Sequence, residues 1–325
     1  MTSETGVEAR AGARHRATGT AMSTGRAGDR IFAGAARGSG ITVLALVAAI
    51  AAFLVWKAIP ALQENEASFL TSEEWNPNAD PPKFGIAQLA FGTAISSLLA
   101  MLIATPIAIG IALFISFYSP RRLASGLGYV VDLLAAVPSI VYGLWGLVFL
   151  AQHMDDVSRF LNAVLGWIPL FAGSPGKNSI FTASVVLAIM ILPIISSISR
   201  EVFLQVPRPN VEAALALGAT RWEMIRMSVL PYGRSGMIGA SMLGLGRAMG
   251  ETIAVAMVLT FVPGINWQLL ENGGSTFAAN IANSFAEASV TGRGALIASG
   301  LVLFVITLVV NMAARAVVAR RKEFV

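Results

Sequence analysis

Two charges inside an apolar run are the first residues able to do chemistry. The segment Ser235–Phe261 reads SGMIGASMLGLGRAMGETIAVAMVLTF. If it is a membrane-spanning helix, Arg247 lies about twelve residues from one end, roughly 18 Å deep at about 1.5 Å per residue. An uncompensated charge at that depth costs at least about 2.5–3.5 kcal/mol. Glu251 follows at i+4, the spacing that puts two side chains on one helix face. Gly244, Gly246 and Gly250 flank the pair and would let another helix come close. Two roles fit. One is a structural ion pair that holds two subunits together. The other is a transient anion site, because a guanidinium fork donates two hydrogen bonds to a tetrahedral oxyanion. In the second role Glu251 holds Arg247 while the path is empty and keeps the anion from binding too tightly to leave.

A second cluster precedes it. Glu212–Pro231 reads EAALALGATRWEMIRMSVLP. Pro207 and Pro209 stop the preceding helix. Asn210 is then placed to cap a new short helix with Glu212 in its first turn, where the helix dipole favours negative charge. Ala213 and Ala214 keep the surface flat. Gly218 fits the left-handed residue that ends a helix. Thr220 and Glu223 have capping-box spacing and start a second short helix, which Pro231 ends or bends. The expected product is a stiff knob of two short helices, able to transmit a push.

Composition sets the environment. Of 325 residues, 55% are hydrophobic and 13% charged, against about a quarter charged in soluble domains. Apolar runs of about twenty residues recur, so the chain reads as a polytopic membrane protein. There is no cysteine, which excludes disulfides and thiolate chemistry. His15 and His153 lie far apart in sequence and support no metal site. The run Gly173–Asn178 (GSPGKN) superficially resembles a phosphate-binding loop, but Phe171 stands where the first glycine is needed and Asn178 where Ser or Thr is needed. No nucleophile–base set is present either.

The elements that must position these residues are six apolar spans, at about 41–59, 86–117, 127–151, 179–203, 235–261 and 294–316, in a domain covering 39–325. Residues 1–38 are expected to be a disordered tail. Seventeen of the 23 Lys and Arg residues fall on the side of both termini and the 204–234 loop, five on the other, and Arg247 within a span. That asymmetry makes both termini cytoplasmic. Outside, residues 60–85 are acidic and proline-rich. Val157–Leu165 is amphipathic and suits the outer interface, and 262–293 reads as a re-entrant or docking loop. Pro106, Pro138 and Pro193 fall inside spans. Pro106 is expected only to bend its helix. Val137–Trp145, with Ser139, Tyr142 and Gly143, suggests a packed or pathway-facing surface.

The residues Glu212, Ala213, Ala214, Gly218 and Leu230-Pro231 resemble the cytoplasmic loop signature of bacterial ABC-importer permeases. Ser228 departs from it, standing where the family often has isoleucine. Three motifs narrow the resemblance: Gly244–Val255 (GLGRAMGETIAV), Val137–Trp145 (VPSIVYGLW) and Val206–Glu223 (VPRPNVEAALALGATRWE). Together they are similar to phosphate-importer permeases over roughly residues 29–320. The long first outer loop with Trp75, and Phe84-Gly85-Ile86, resemble the PstC type rather than its PstA partner.

The resemblance implies an all-α membrane protein with six transmembrane helices and the MetI-like type I ABC-importer permease fold. It implies that Glu212, Ala213, Ala214, Gly218, Ala219, Thr220 and Arg221 couple to an ATPase, and that Arg247 and Glu251 lie on the phosphate path. The implied partners are a PstA-like permease, two PstB-like ATPases carrying ATP and magnesium, and an extracytoplasmic PstS-like binding protein. This chain is then non-catalytic and binds no cofactor itself. Other oxyanions, sulfate or molybdate, and an ion-coupled secondary transporter remain alternatives.

Overall fold

The computed structural model describes residues 24–321, with side chains described over 28–316. The chain divides at Ala52 into two units. Among the described residues the first unit holds one helical stretch, Thr24–Ala52, which continues in the second unit to Glu64 as helix α1 (Thr24–Glu64). The expected disordered tail is therefore helical from Thr24 on; its residues 1–23 lie outside the described residues.

The second unit is built around α6 (Ile180–Leu204). It packs against α2 (Ala87–Leu113), α3 (Arg121–Ala135) and α9 (Leu230–Met249). The contact with α2 follows from a stripe of small residues. Ser96, Ala100, Ala104, Ala108 and Ala112 recur every four residues on one face of α2, and all are buried. Between helices in lipid no hydrophobic effect drives association, so close backbone approach and dispersion must supply it. The same core cluster takes Leu187, Ile191 and Ile195 from α6, each fully buried. Pro106 and Pro193 sit inside α2 and α6 without breaking either.

Among the described residues four helices are long and apolar enough to cross a membrane: 28–64, 87–118, 180–204 and 290–316. The other two expected spans are broken. The third becomes α3 and, beyond Pro138, α4 (Ser139–Trp145), which runs through a π-helical turn at Gly146–Leu150 into α5 (Ala151–Leu165). The two arms are bent by 89°. Proline explains the break: it lacks the N–H that would continue the ladder and pushes Val137 out of the helical region. The amphipathic stretch 157–165 belongs to α5 and is continuous with that arm. The fifth expected span ends at Met249 and resumes after Gly250–Thr252 as α10 (Ile253–Val258).

At one end, β1 (Trp75–Asn76) pairs antiparallel with β2 (Lys83–Phe84). Trp75 and Phe69 stack edge-on against the fully buried Phe84. The 262–276 segment folds inward. Gln88 binds the Val262 carbonyl and accepts from the Gly264 N–H, and Phe277 N–H donates to Thr93 Oγ1 at 3.1 Å. It leads into α11 (Phe277–Ser284) and then α12 (Val290–Arg321). At the other end of α2, Leu113 packs with Phe203 and Val206 beneath α7 (Arg208–Ala216) and α8 (Arg221–Met224).

Candidate functional site

The knob forms as two short helices. Pro207, not Asn210, is the N-cap of α7, so the helix starts earlier than the cap residue alone suggests and Asn210 lies within it. Proline suits this start because its missing N–H would have no helical partner there. Gly218 has φ +84°, the left-handed conformation that turns the chain out of α7. The capping box is complete. Glu223 N–H donates to Thr220 Oγ1 at 3.3 Å, and Thr220 N–H donates to the Glu223 carboxylate at 2.8 Å. That backbone bond, with the Thr220 hydroxyl, holds the Glu223 carboxyl below its ordinary range. The cap is intact above the ordinary carboxylate range and is lost as pH falls through the lowered value.

A π-helical turn at Ile225–Val229 then leads into α9, ahead of Pro231, and so absorbs the proline without ending the helix. Ser228 lies in that turn, and its hydroxyl donates to the Asn210 carbonyl at 3.3 Å, tying the two halves of the knob together. Ala214, Met224, Ile225 and Val229 anchor it to the body. Glu212, Ala213, Gly218, Thr220 and Arg221 are exposed, as are Leu215, Leu217, Trp222 and Met227. Ala214 is buried and Ala219 half-buried, so of the two alanines expected to flatten the surface only Ala213 does so. Leu217 is 90% exposed, which makes this a stiff, partly apolar surface that lacks a partner among the described residues.

The intramembrane charges part company. The break after Met249 takes Glu251 off the helix that carries Arg247. Glu251 is 9% exposed, and its Oε1 accepts from the Ala254 N–H at 3.2 Å, capping α10. Arg247 is exposed instead. Among the described residues the ion pairs are Lys83–Glu66 and Arg159–Asp155, and neither involves Arg247 or Glu251. The expected i+4 pair is therefore absent, because an i+4 neighbour shares a face only while the helix continues.

The flanking glycines differ too. A Cβ on Gly244 would lie 2.7 Å from Ile195 Cδ1, so the α9–α6 approach requires glycine there, whereas Gly246 faces open space. That space is a groove of about 530 Å³ lined by Arg247, Gly246, Met242, Leu243 and Ile194, with Thr307 and Asn311 from α12.

The two broken spans meet beside it, since α4 packs against α10. A Cβ on Gly143 would come within 2.7 Å of Ala254 Cα, so only glycine allows this contact. The Tyr142 hydroxyl donates to the Leu134 carbonyl at 2.8 Å and bridges the Pro138 break. Thr307, Asn311 and Asp132, which accepts from the Ser197 hydroxyl at 2.7 Å, were not singled out above. Each is a polar residue in an apolar run, so hydropathy alone could have found it.

A guanidinium open to a groove, with hydroxyl and carboxamide groups opposite, can hold an oxyanion by charge and several hydrogen bonds. By contrast, the 173–178 loop holds no such promise. Its Ser174 N–H donates to the Glu271 carboxylate at 3.0 Å, and a negative charge there repels an anion.

Residues 104–323 match the family model described as "Binding-protein-dependent transport system inner membrane component". The chain is 50% identical over 304 residues to "Phosphate transport system permease protein PstC 2" of Mycobacterium tuberculosis, covering 91% of this chain and 93% of the relative. It is 48% identical to "Phosphate transport system permease protein PstC" of Mycobacterium leprae (89% and 92% covered) and 46% identical to that of Xylella fastidiosa (86% and 88%). Among solved structures, an inward-facing MetNI methionine ABC transporter chain superposes with TM-score 0.55 at 14% identity, covering 72% of this chain and 95% of that one. A bacterial ABC transporter for the acidic polysaccharide alginate gives TM-score 0.51 at 17% identity, covering 72% and 78%. These two likenesses establish the fold.

Proposed function

The chain belongs to the family of binding-protein-dependent transport system inner membrane components, and within it we propose that this protein is the PstC-like permease subunit of an ATP-driven importer of inorganic phosphate. Its relatives named above are phosphate transport system permeases. The observation that carries the reading is Arg247. It lies in the last turn of α9, exposed to a groove, with its expected carboxylate buried and bonded elsewhere. A charge placed so needs an anion or a facing subunit, and the importer supplies both.

In this reading a PstA-like permease closes the groove. Two PstB-like ATPases, which carry ATP and magnesium, grip the two knobs, and a PstS-like protein delivers phosphate from outside. The excess of Lys and Arg puts both termini and the knob in the cytoplasm of a cell bounded by this inner membrane. ATP closure of the ATPases draws the knobs together and opens the cavity outward; hydrolysis reverts it. Glu251 fixes the break that leaves Arg247 facing the path. The chain itself does no catalysis.

Reconstituted with all partners in liposomes, the complex is expected to hydrolyse ATP faster when phosphate-loaded binding protein is added. If sulfate or molybdate carriers stimulate it and phosphate does not, the assignment moves to that anion. Asn311→Leu removes a hydrogen-bonding group opposite Arg247. Losing one bond to an anion, worth about 1.5–3 kcal/mol, is expected to slow phosphate transport about tenfold or more. Stimulated ATP hydrolysis is expected to persist; an unchanged transport rate places Asn311 off the path.

A further inference from the structure

A second cavity shares no lining residue with Arg247's groove. It has a volume of about 370 Å³ and sits where the β1–β2 turn meets α11. Its polar lining is Asn76, Asn78, Ser275, Asn280, Asn283 and Ser284, and no Lys, Arg, Asp or Glu lines it. The cavity belongs to the end of the fold opposite the knob. Next to it, Phe277 is bonded to Thr93 in the first turns of α2, while Leu113 at the far end of α2 packs under the knob.

The cavity holds one buried donor without a partner. Asn280 is 4% exposed, and its Nδ2 has no hydrogen-bond partner among the described residues. Its Oδ1 is already engaged, accepting from the Ser284 hydroxyl at 3.4 Å. Asn78 is solvent-exposed at the cavity rim, and its Oδ1 accepts from the Ser289 N–H at 3.1 Å and hydroxyl at 2.9 Å. In both carboxamides the acceptor is tied back and the NH2 remains to donate. A buried donor without a partner is costly and uncommon. A ligand made of acceptors resolves it, and an oxyanion is such a ligand. Neutral donors hold an anion without the long-range pull of a fixed cation, so it can leave again.

We propose that this cavity is a staging site for the oxyanion, occupied before the anion reaches Arg247. The proposal rests on the phosphate-importer reading above. The chain has no cysteine, so a single introduced thiol reports on the cavity. In the full complex reconstituted in liposomes, Asn283→Cys is to be labelled from the outside with a negatively charged methanethiosulfonate, with and without inorganic phosphate.

At phosphate about four times its dissociation constant, labelling is expected to slow about fivefold by simple occupancy. Adding Asn280→Leu or, independently, Asn78→Leu is expected to abolish that protection. Equal labelling rates with and without phosphate, or protection that survives both leucine variants, overturn the staging site. Phosphate uptake by the unsubstituted complex is measured alongside. Uptake without protection refutes the staging site alone, whereas absence of uptake refutes the importer reading on which it rests.

Discussion

Arg247→Gln is expected to reduce phosphate transport roughly a hundredfold while the complex stays assembled. Glutamine keeps much of the length and some hydrogen-bonding capacity but loses the charge and the fork. Replacing a charge-assisted contact to an oxyanion by a neutral one forfeits about 3 kcal/mol, which is about two powers of ten. Assembly is expected to survive because the residue most suited to pair with Arg247 is engaged elsewhere: Glu251 is buried and caps α10. Transport in liposomes, read beside co-purification of all subunits, separates the two roles. A complex that falls apart instead makes Arg247 a structural contact to the second permease.

Gly218→Pro is expected to leave ATP hydrolysis running without transport. Gly218 has φ +84°, and proline is confined near −65°. The substitution also removes an N–H that donates to the Leu215 carbonyl at 3.0 Å. A Cβ at this position would meet no other atom within 4 Å, so the damage is to the backbone turn alone. The elbow between α7 and α8 must then rearrange, and the knob no longer presents one rigid surface. Gly218→Ala is the graded control: a side chain in the left-handed region costs about 1–2 kcal/mol, and partial coupling is expected. Full transport by Gly218→Pro would remove the knob from the coupling path.

The knob was the most legible part of the fold. Its turn, capping box and boundaries rest on local chemistry, in which proline, glycine, Thr220 and Glu223 each act on residues within a few positions. Only the first cap moved, from Asn210 to Pro207, because helix starts accept several residues. The apolar spans were legible as well, since hydropathy decides them. Continuity of a span was not. Val137–Trp145 contained a proline, and the break there had a visible cause.

The break at Gly250–Thr252 did not, because nothing in an apolar run says that α10 will pack against α4, far earlier in the chain. That long-range contact, permitted by Gly143, separates Arg247 from Glu251. The i+4 pairing was a correct rule applied to a helix that had already ended. Asn280 and Asn78 were equally opaque, since their free amides appear only when Ser284 and Ser289 are seen to occupy their oxygens.

Uptake of labelled phosphate at micromolar concentration, in cells that lack other phosphate importers, tests the central claim most directly. Cells with the chain and its partners are expected to take up phosphate, excess sulfate is expected to leave uptake unchanged, and deletion of the chain is expected to abolish it. Uptake that persists without the chain, or that sulfate suppresses, would contradict the assignment of phosphate as the cargo of this permease.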